Sequence, residues 1–214
     1  QLLRFSLRNG RQQAEQPLPP AWRFGPGRGL ESNKGPESLS AGPAGSLLLA
    51  AEAPLRQDAS GANGDEVRLA LRAADGTIRE VGRLTIGPSG SALARSQGLT
   101  ELLSLDPSRG VLALLRSYTP PGEWTAQLQW LPWPEGSAQP PLRPLVGWDL
   151  FRVGLPADNW EGMTWGPGLA DGRSTLVLVS DDNFNPLQRS WVAVLAPRRQ
   201  ARCPDQTTPA PNPS

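Results

Sequence analysis

The sequence contains no histidine. That absence removes the commonest general base, the Ser-His and Cys-His nucleophile pairs, and every histidine-dependent zinc or iron site. Cysteine occurs once, as Cys203 in a proline-rich tail, so no internal disulfide can form. Lysine also occurs once, as Lys34, and arginine supplies the rest of the 21 basic residues. These face 20 acidic residues, and a chain so balanced lacks the basic excess that nucleic acid or an anionic membrane surface requires. No run approaches the ~18 apolar residues of a membrane span, and the first residues lack the basic-then-apolar order of a signal peptide. The expectation is a soluble chain, or a soluble piece of a longer one, whose chemistry runs on carboxylates, arginine, lysine, tyrosine or a bound metal.

Glycine (23) and proline (24) are abundant and interrupt the chain every few residues, which disfavours long helices. The apolar residues instead alternate. Leu3 to Leu7 reads as a strand ending at the turn signal Asn9-Gly10, and residues 11–36 read as a connection with Trp22 and Phe24 as packing anchors. Glu37-Ser-Leu-Ser40, a turn through Gly42 to Gly45, Leu47 to Ala51, then Val67, Leu69 and Leu71, an Asp75-Gly76 turn and Thr77 to Ile86 are punctuated like a four-stranded antiparallel unit. The loop from Pro54 to Asp65 is polar and small enough to be mobile. Trp124, Ala126, Leu128 and Trp130 alternate on one face of a later strand, and Ser190 to Leu195 supplies another.

A longer pattern repeats. Glu37, Glu101 and Glu161 are each followed six residues later by proline, then by glycine and an apolar run ending at a charge: Glu52, Arg116 and Asp181. The glutamates lie 64 and 60 residues apart, about the length of four strands with generous loops. Such repeats predict an all-β fold, a β-propeller of four-stranded antiparallel blades with about three present, incomplete through blades missing before Gln1. The propeller portion is assigned to residues 1–197 and a disordered Pro-rich tail to 198–214. Pairing of Gln1 to Leu7 with Ser190 to Leu195, to close a small ring, is the alternative.

In a propeller the repeated glutamates come to the same end of a channel. The richest copy runs from Asp158-Asn159-Trp160-Glu161-Gly162-Met163 to Val179-Ser180-Asp181-Asp182-Asn183-Phe184. Converging carboxylates repel unless a cation or arginine sits among them, and oxygen-only ligation by Asp, Glu and Asn suits calcium. The bland alternatives are glutamates that accept backbone hydrogen bonds from a neighbouring blade, an Arg116 that only neutralises them, and an Asx-capped turn at Asp181 and Asp182.

At Asp158-Asn-Trp-Glu-Gly-Met163 and Leu176 to Phe184, with Gln188 just after, and closely over residues 158–195, the sequence resembles the bacterial phytase-like family, propeller-type proteins described as having esterase-like activity of phytase. Asn33-Lys-Gly-Pro-Glu-Ser38 is similar to the family's Asn-x-Gly-x-Glu-Gly, and Leu114-Leu-Arg-Ser-Tyr118 to its Leu-Glu-Arg-Ser, with Leu115 in place of an acidic residue. The resemblance covers most of the chain and the C-terminal part of the family domain. It implies a phosphoester or ester hydrolase, secreted or periplasmic, acting on a small phosphorylated or ester substrate and monomeric if complete.

The expected site follows. Glu37, Glu161, Asp181 and Asp182 hold calcium; Lys34, Arg116, Asn159 and Asn183 bind substrate; Glu161, Asp182 and Arg116 carry the chemistry through a metal-bound water. A non-enzymatic exported propeller that binds a ligand or partner, or an inactive fragment, is the competing expectation.

Overall fold

The structure, a computed structural model, describes residues 1–59, 64–87, 96–106, 109–134 and 141–198. Thirteen strands form four antiparallel sheets with almost no helix. Strands β1 (Leu2–Phe5) and β2 (Gln12–Gln16) make a hairpin whose turn passes through Gly10 at φ +68°, a conformation glycine adopts without cost. A four-stranded sheet follows in chain order: β3 (Pro36–Ala41), β4 (Leu47–Ala51), β5 (Glu66–Arg72) and β6 (Ile78–Thr85). The second has the same order: β7 (Ser96–Asp106), β8 (Gly110–Thr119), β9 (Glu123–Leu131) and β10 (Val146–Asp149). The third holds β11 (Trp160–Gly166), β12 (Thr175–Ser180) and β13 (Val192–Leu195).

The alternation expected from the sequence locates these strands well, and the Asp75-Gly76 turn lies where expected, with Gly76 at φ +93° and the Thr77 N–H bonded to Asp75 Oδ1 at 2.8 Å. The ring-closing alternative does not occur, because β1 pairs with β2 and β13 with β12. Phe24 is exposed whereas Trp22 is fully buried, donating its indole N–H to Glu80 at 2.9 Å. The expected mobile loop is fastened where it is described. Leu55 is buried, and Asp58 takes both arms of the Arg68 guanidinium at 2.6 and 2.8 Å, a two-pronged match that a polar-composition argument does not see. The Pro-rich tail lies outside the described residues from position 199 onward.

The sheets pack face to face, as the alternation of β8 requires. Val111, Ala113 and Leu115 join the core against the first sheet, while Leu112 and Leu114 join the core against the third. A strand buried on both faces reads as a continuous apolar run, and Val111 to Leu115 is one. The first strands of the sheets also adjoin: Ser104 N–H of β7 donates to Ser40 Oγ of β3 at 2.7 Å, and the Trp165 indole of β11 donates to Ser104 O at 3.3 Å. A backbone bond from Leu99 N–H to Glu52 O, 2.9 Å, stitches the first sheet to the second. No described helix is long and apolar enough to cross a membrane.

Candidate active site

Each first strand carries a β-bulge at the same place in its ladder. In β3 the register shifts between Pro36 and Ser38, in β7 between Leu99 and Glu101, and in β11 between Trp160 and Gly162. The extra residues are Glu37, Thr100 and Glu161. A bulge turns its extra side chain out of the ladder, and such devices recur beside active sites. The sequence repeat is therefore real but slips by one residue in the middle copy, where Thr100, not Glu101, is the counterpart of Glu37 and Glu161. Glu101 stands level with Ser38 and Gly162. Its carboxylate accepts the Leu102 N–H at 2.9 Å, and burial pushes its pKa up against backbone donation from Leu102 and Leu39.

The residues that follow the partner positions opposite each bulge are Glu52 just past β4, Arg116 within β8 and Asp181 just past β12, as the repeat implies. The first two meet at a charged cluster. Arg116 Nη2 lies 3.2 Å from Glu52 Oε1 and 3.1 Å from Glu161 Oε1, so one guanidinium nitrogen joins the first sheet to the third. Lys34 Nζ reaches the same Glu52 oxygen at 2.7 Å. Asn159 Nδ2 donates to Glu161 Oε1 at 2.8 Å. Asn159 is itself buried, and its Oδ1 has no hydrogen-bond partner in the protein, which leaves that acceptor for water or a substrate hydroxyl.

The cluster is graded from inside to outside. The Glu52 side chain is 2 % exposed and that of Arg116 12 %, whereas that of Glu161 is 27 % exposed and Glu37 opens to solvent. Partial burial, then the negative charges of Glu52 and Glu161, push the Glu37 carboxyl up to about 7 against the opposing pull of Arg116 and Lys34. Solvent on its open side screens the energetic cost, so the shift matters more for protonation state than for stability.

Glycine at position 98 makes room for Glu52. A Cβ there would stand 2.8 Å from Glu52 Oε1 and 2.9 Å from its Cγ. Gly98→Ala is expected to lower the unfolding free energy by roughly 1–3 kcal/mol, read as a shifted denaturant midpoint at unchanged slope, because the held carboxylate has nowhere to retreat.

Of the residues expected to form the site, Glu37, Glu161, Lys34, Arg116 and Asn159 are brought together, whereas Asp181, Asp182 and Asn183 are engaged in a turn. Asp181 Oδ1 accepts the Asn183 N–H at 3.1 Å and Asp182 Oδ1 the Phe184 N–H at 3.0 Å, with Asn183 and Phe184 both left-handed. These are Asx turns. Among the described residues no three His, Cys, Asp or Glu side chains are placed to hold a metal. Glu161 is held by the Arg116 guanidinium and the Asn159 amide, neither of which can ligate beside a cation through a nitrogen donor. The donor set expected for calcium is not assembled, and the residues do not fit that ion. Sequence reasoning missed Glu52 as a site residue, although its position as a lone charge ending the apolar run Leu47–Ala51 was the signal.

A family model described as phytase-like, esterase-like activity of phytase, matches residues 1–184. The chain belongs to this phytase-like family. Neither the curated proteins nor the solved structures gave a match. The match to the phytase-like family takes in Lys34, Glu37, Glu52, Arg116, Asn159 and Glu161, and it ends at Phe184, where the Asx turn closes.

Proposed function

We propose that this phytase-like chain hydrolyses an ester or phosphoester bond by general acid–base catalysis between Glu37 and Glu161. The observation that carries the reading is the Arg116 Nη2 shared between Glu52 and Glu161. It fixes Glu161 in place through a hydrogen bond, while burial and the neighbouring carboxylates raise Glu37 to about 7, where it has a proton to give. Paired acid and base work needs one group that gives a proton and another that takes one. Glu161 takes a proton from water as the water oxygen bonds to the ester carbon or phosphorus. Glu37 delivers its proton to the departing alkoxide, and the products are an acid and an alcohol. Arg116 and Lys34 stabilise charge on the reacting oxygens only partly, because both already face carboxylates. Two cations against three carboxyl groups favour a weakly charged substrate, a carboxylic ester or phosphodiester, over a dianionic phosphomonoester.

The same reading takes the successive sheets as blades of a propeller. It is supported by the adjoining first strands β3, β7 and β11 and by the face-to-face order of the meanders.

The test measures release of p-nitrophenol from its acetate, its phosphate and a bis-ester of phosphate across pH 5–9, with added calcium and with chelator. The expected result is turnover of the acetate or diester, unchanged by either addition, with an alkaline limb near pH 7 that disappears in Glu37→Gln. A rate indistinguishable from buffer, in protein that melts cooperatively, defeats the proposal. Calcium-dependent turnover of the monoester would return the chemistry to a metal. The stability of the same variant has a fixed sign. A carboxyl raised in the fold favours the native state when protonated, so its contribution falls as pH rises from the ordinary 4.5 through about 7. Glu37→Gln should therefore gain on the wild type above pH 7.

A further inference from the structure

The second sheet is enclosed between two others, and its buried faces should be apolar. Strand β9 obeys on one side, where Ala126 and Leu128 join the core against the third sheet. On the side toward the first sheet it presents Thr125, Gln127 and Gln129. Their partners across the ladder are Ser117, Leu115 and Ala113, and the last two belong to the core that the first sheet shares. Thr125 and Gln127 are exposed and Gln129 is half-buried, so this part of the face opens to a cleft instead of packing on the first sheet, and only a polar atom cut off from water there incurs a desolvation cost. The row is not closed on itself. Ser117 and Thr125 share a hydrogen bond of 2.6 Å and Gln129 Nε2 reaches Gln127 Oε1 only at 3.5 Å, while Gln129 Oε1 is buried with no hydrogen-bond partner in the protein.

The space these groups face is a cleft of about 380 Å³ that also touches Thr85, Ile86, Gly87 and Gln97. This lies within the ~300–1,000 Å³ of small-molecule sites. Arg116 stands at its margin, and its Nη2 is committed to Glu52 and Glu161. The cleft thus offers amides that both donate and accept, hydroxyls, an apolar strip from Ile86 and Leu115, and little net charge. We propose that it binds a neutral polyhydroxylated ligand, a sugar or cyclic polyol. Such a molecule presents the alternating donors and acceptors the glutamines lack, and its C–H face suits the apolar strip. Among the described lining residues the cation is Arg116, and its Nη2 already holds two carboxylates against a competing anion.

The proposal concerns binding alone and stands apart from hydrolysis. Saturation-transfer NMR with methyl glucoside and with myo-inositol, each titrated into the full chain at millimolar concentration, reads it directly. Binding of either ligand is expected, weakened at least tenfold in Gln129→Leu and in Gln127→Leu, and not displaced by inorganic phosphate. Gln129→Leu removes the buried orphan acceptor and should melt no lower than wild type; Gln127 is exposed, so its variant supplies the test if the first fails to fold. No binding of either polyol, wild-type binding in both variants, or displacement by phosphate overturns the assignment.

Discussion

Glu52→Ala is expected to remove about 3–5 kcal/mol of stability, a large share of the ~5–15 kcal/mol that holds a typical domain. The side chain is 2 % exposed and receives Lys34 at 2.7 Å and Arg116 at 3.2 Å through one oxygen. Truncation leaves the two cations with Glu161 and the partly exposed Glu37 in place of three carboxyl groups, with Arg116 itself 12 % exposed and poorly placed to recover water. The loss comes from the abandoned charges rather than from the worth of the pair. A double replacement, Glu52→Met with Arg116→Met, should therefore recover much of what the single change costs. The backbone of Glu52, which binds Gly35 and Leu99, is the same in every variant, so the effect belongs to the carboxylate. Urea denaturation with a common slope measures it. A loss under 1 kcal/mol would mean that the cluster is wet enough for water to replace Glu52.

What could be read in the sequence was what depends on near neighbours. The run Leu47–Ala51, the Asp75-Gly76 turn and the alternation of Trp124 with Ala126 and Leu128 each fixed a strand, because period and turn chemistry are local. The bulges were not legible. A bulge leaves no composition signal in Pro-Glu-Ser, Leu-Thr-Glu or Trp-Glu-Gly, yet it decides which residue faces out, and aligning glutamates placed Glu101 where Thr100 belongs. The ion pairs of Arg116 with Glu52 and Glu161 span 64 and 45 residues, beyond any local pattern. At Asp181-Asp182-Asn183 the dense acids suggested ligation, but the same residue types favour Asx turns, and the nearer backbone N–H groups took them.

Placing Arg116 in the middle sheet sets a fixed cation between a carboxylate of the first sheet and one of the third. A calcium ion would neutralise converging carboxylates equally, whereas the guanidinium reaches Glu52 and Glu161, and burial with the charge of those two pushes the Glu37 carboxyl up to about 7. The asymmetry follows from the repeat itself: equivalent positions, one just past β4 and one within β8, carry Glu52 and Arg116, opposite charges that adjacent sheets bring together. The third copy, Asp181, lies past the end of β12 and goes to its own turn.

Glu161→Gln separates a catalytic cluster from a structural one. Glutamine has the shape of the carboxylate and its amide oxygen can still accept from Arg116 Nη2 and Asn159 Nδ2, now 3.1 and 2.8 Å from Glu161 Oε1. Arg116 also keeps Glu52 at 3.2 Å, so no cation is stranded as it is in Glu52→Ala. The melting temperature should move by only a few degrees. Glutamine cannot take a proton from water, and kcat for the ester is expected to fall by about 10²–10⁴-fold with KM changed little. Adding Glu37→Gln should cost far less than its effect alone, because acid and base serve one transition state. If Glu161→Gln keeps its rate within about threefold, the base lies elsewhere; if it unfolds, the cluster is a clasp between sheets.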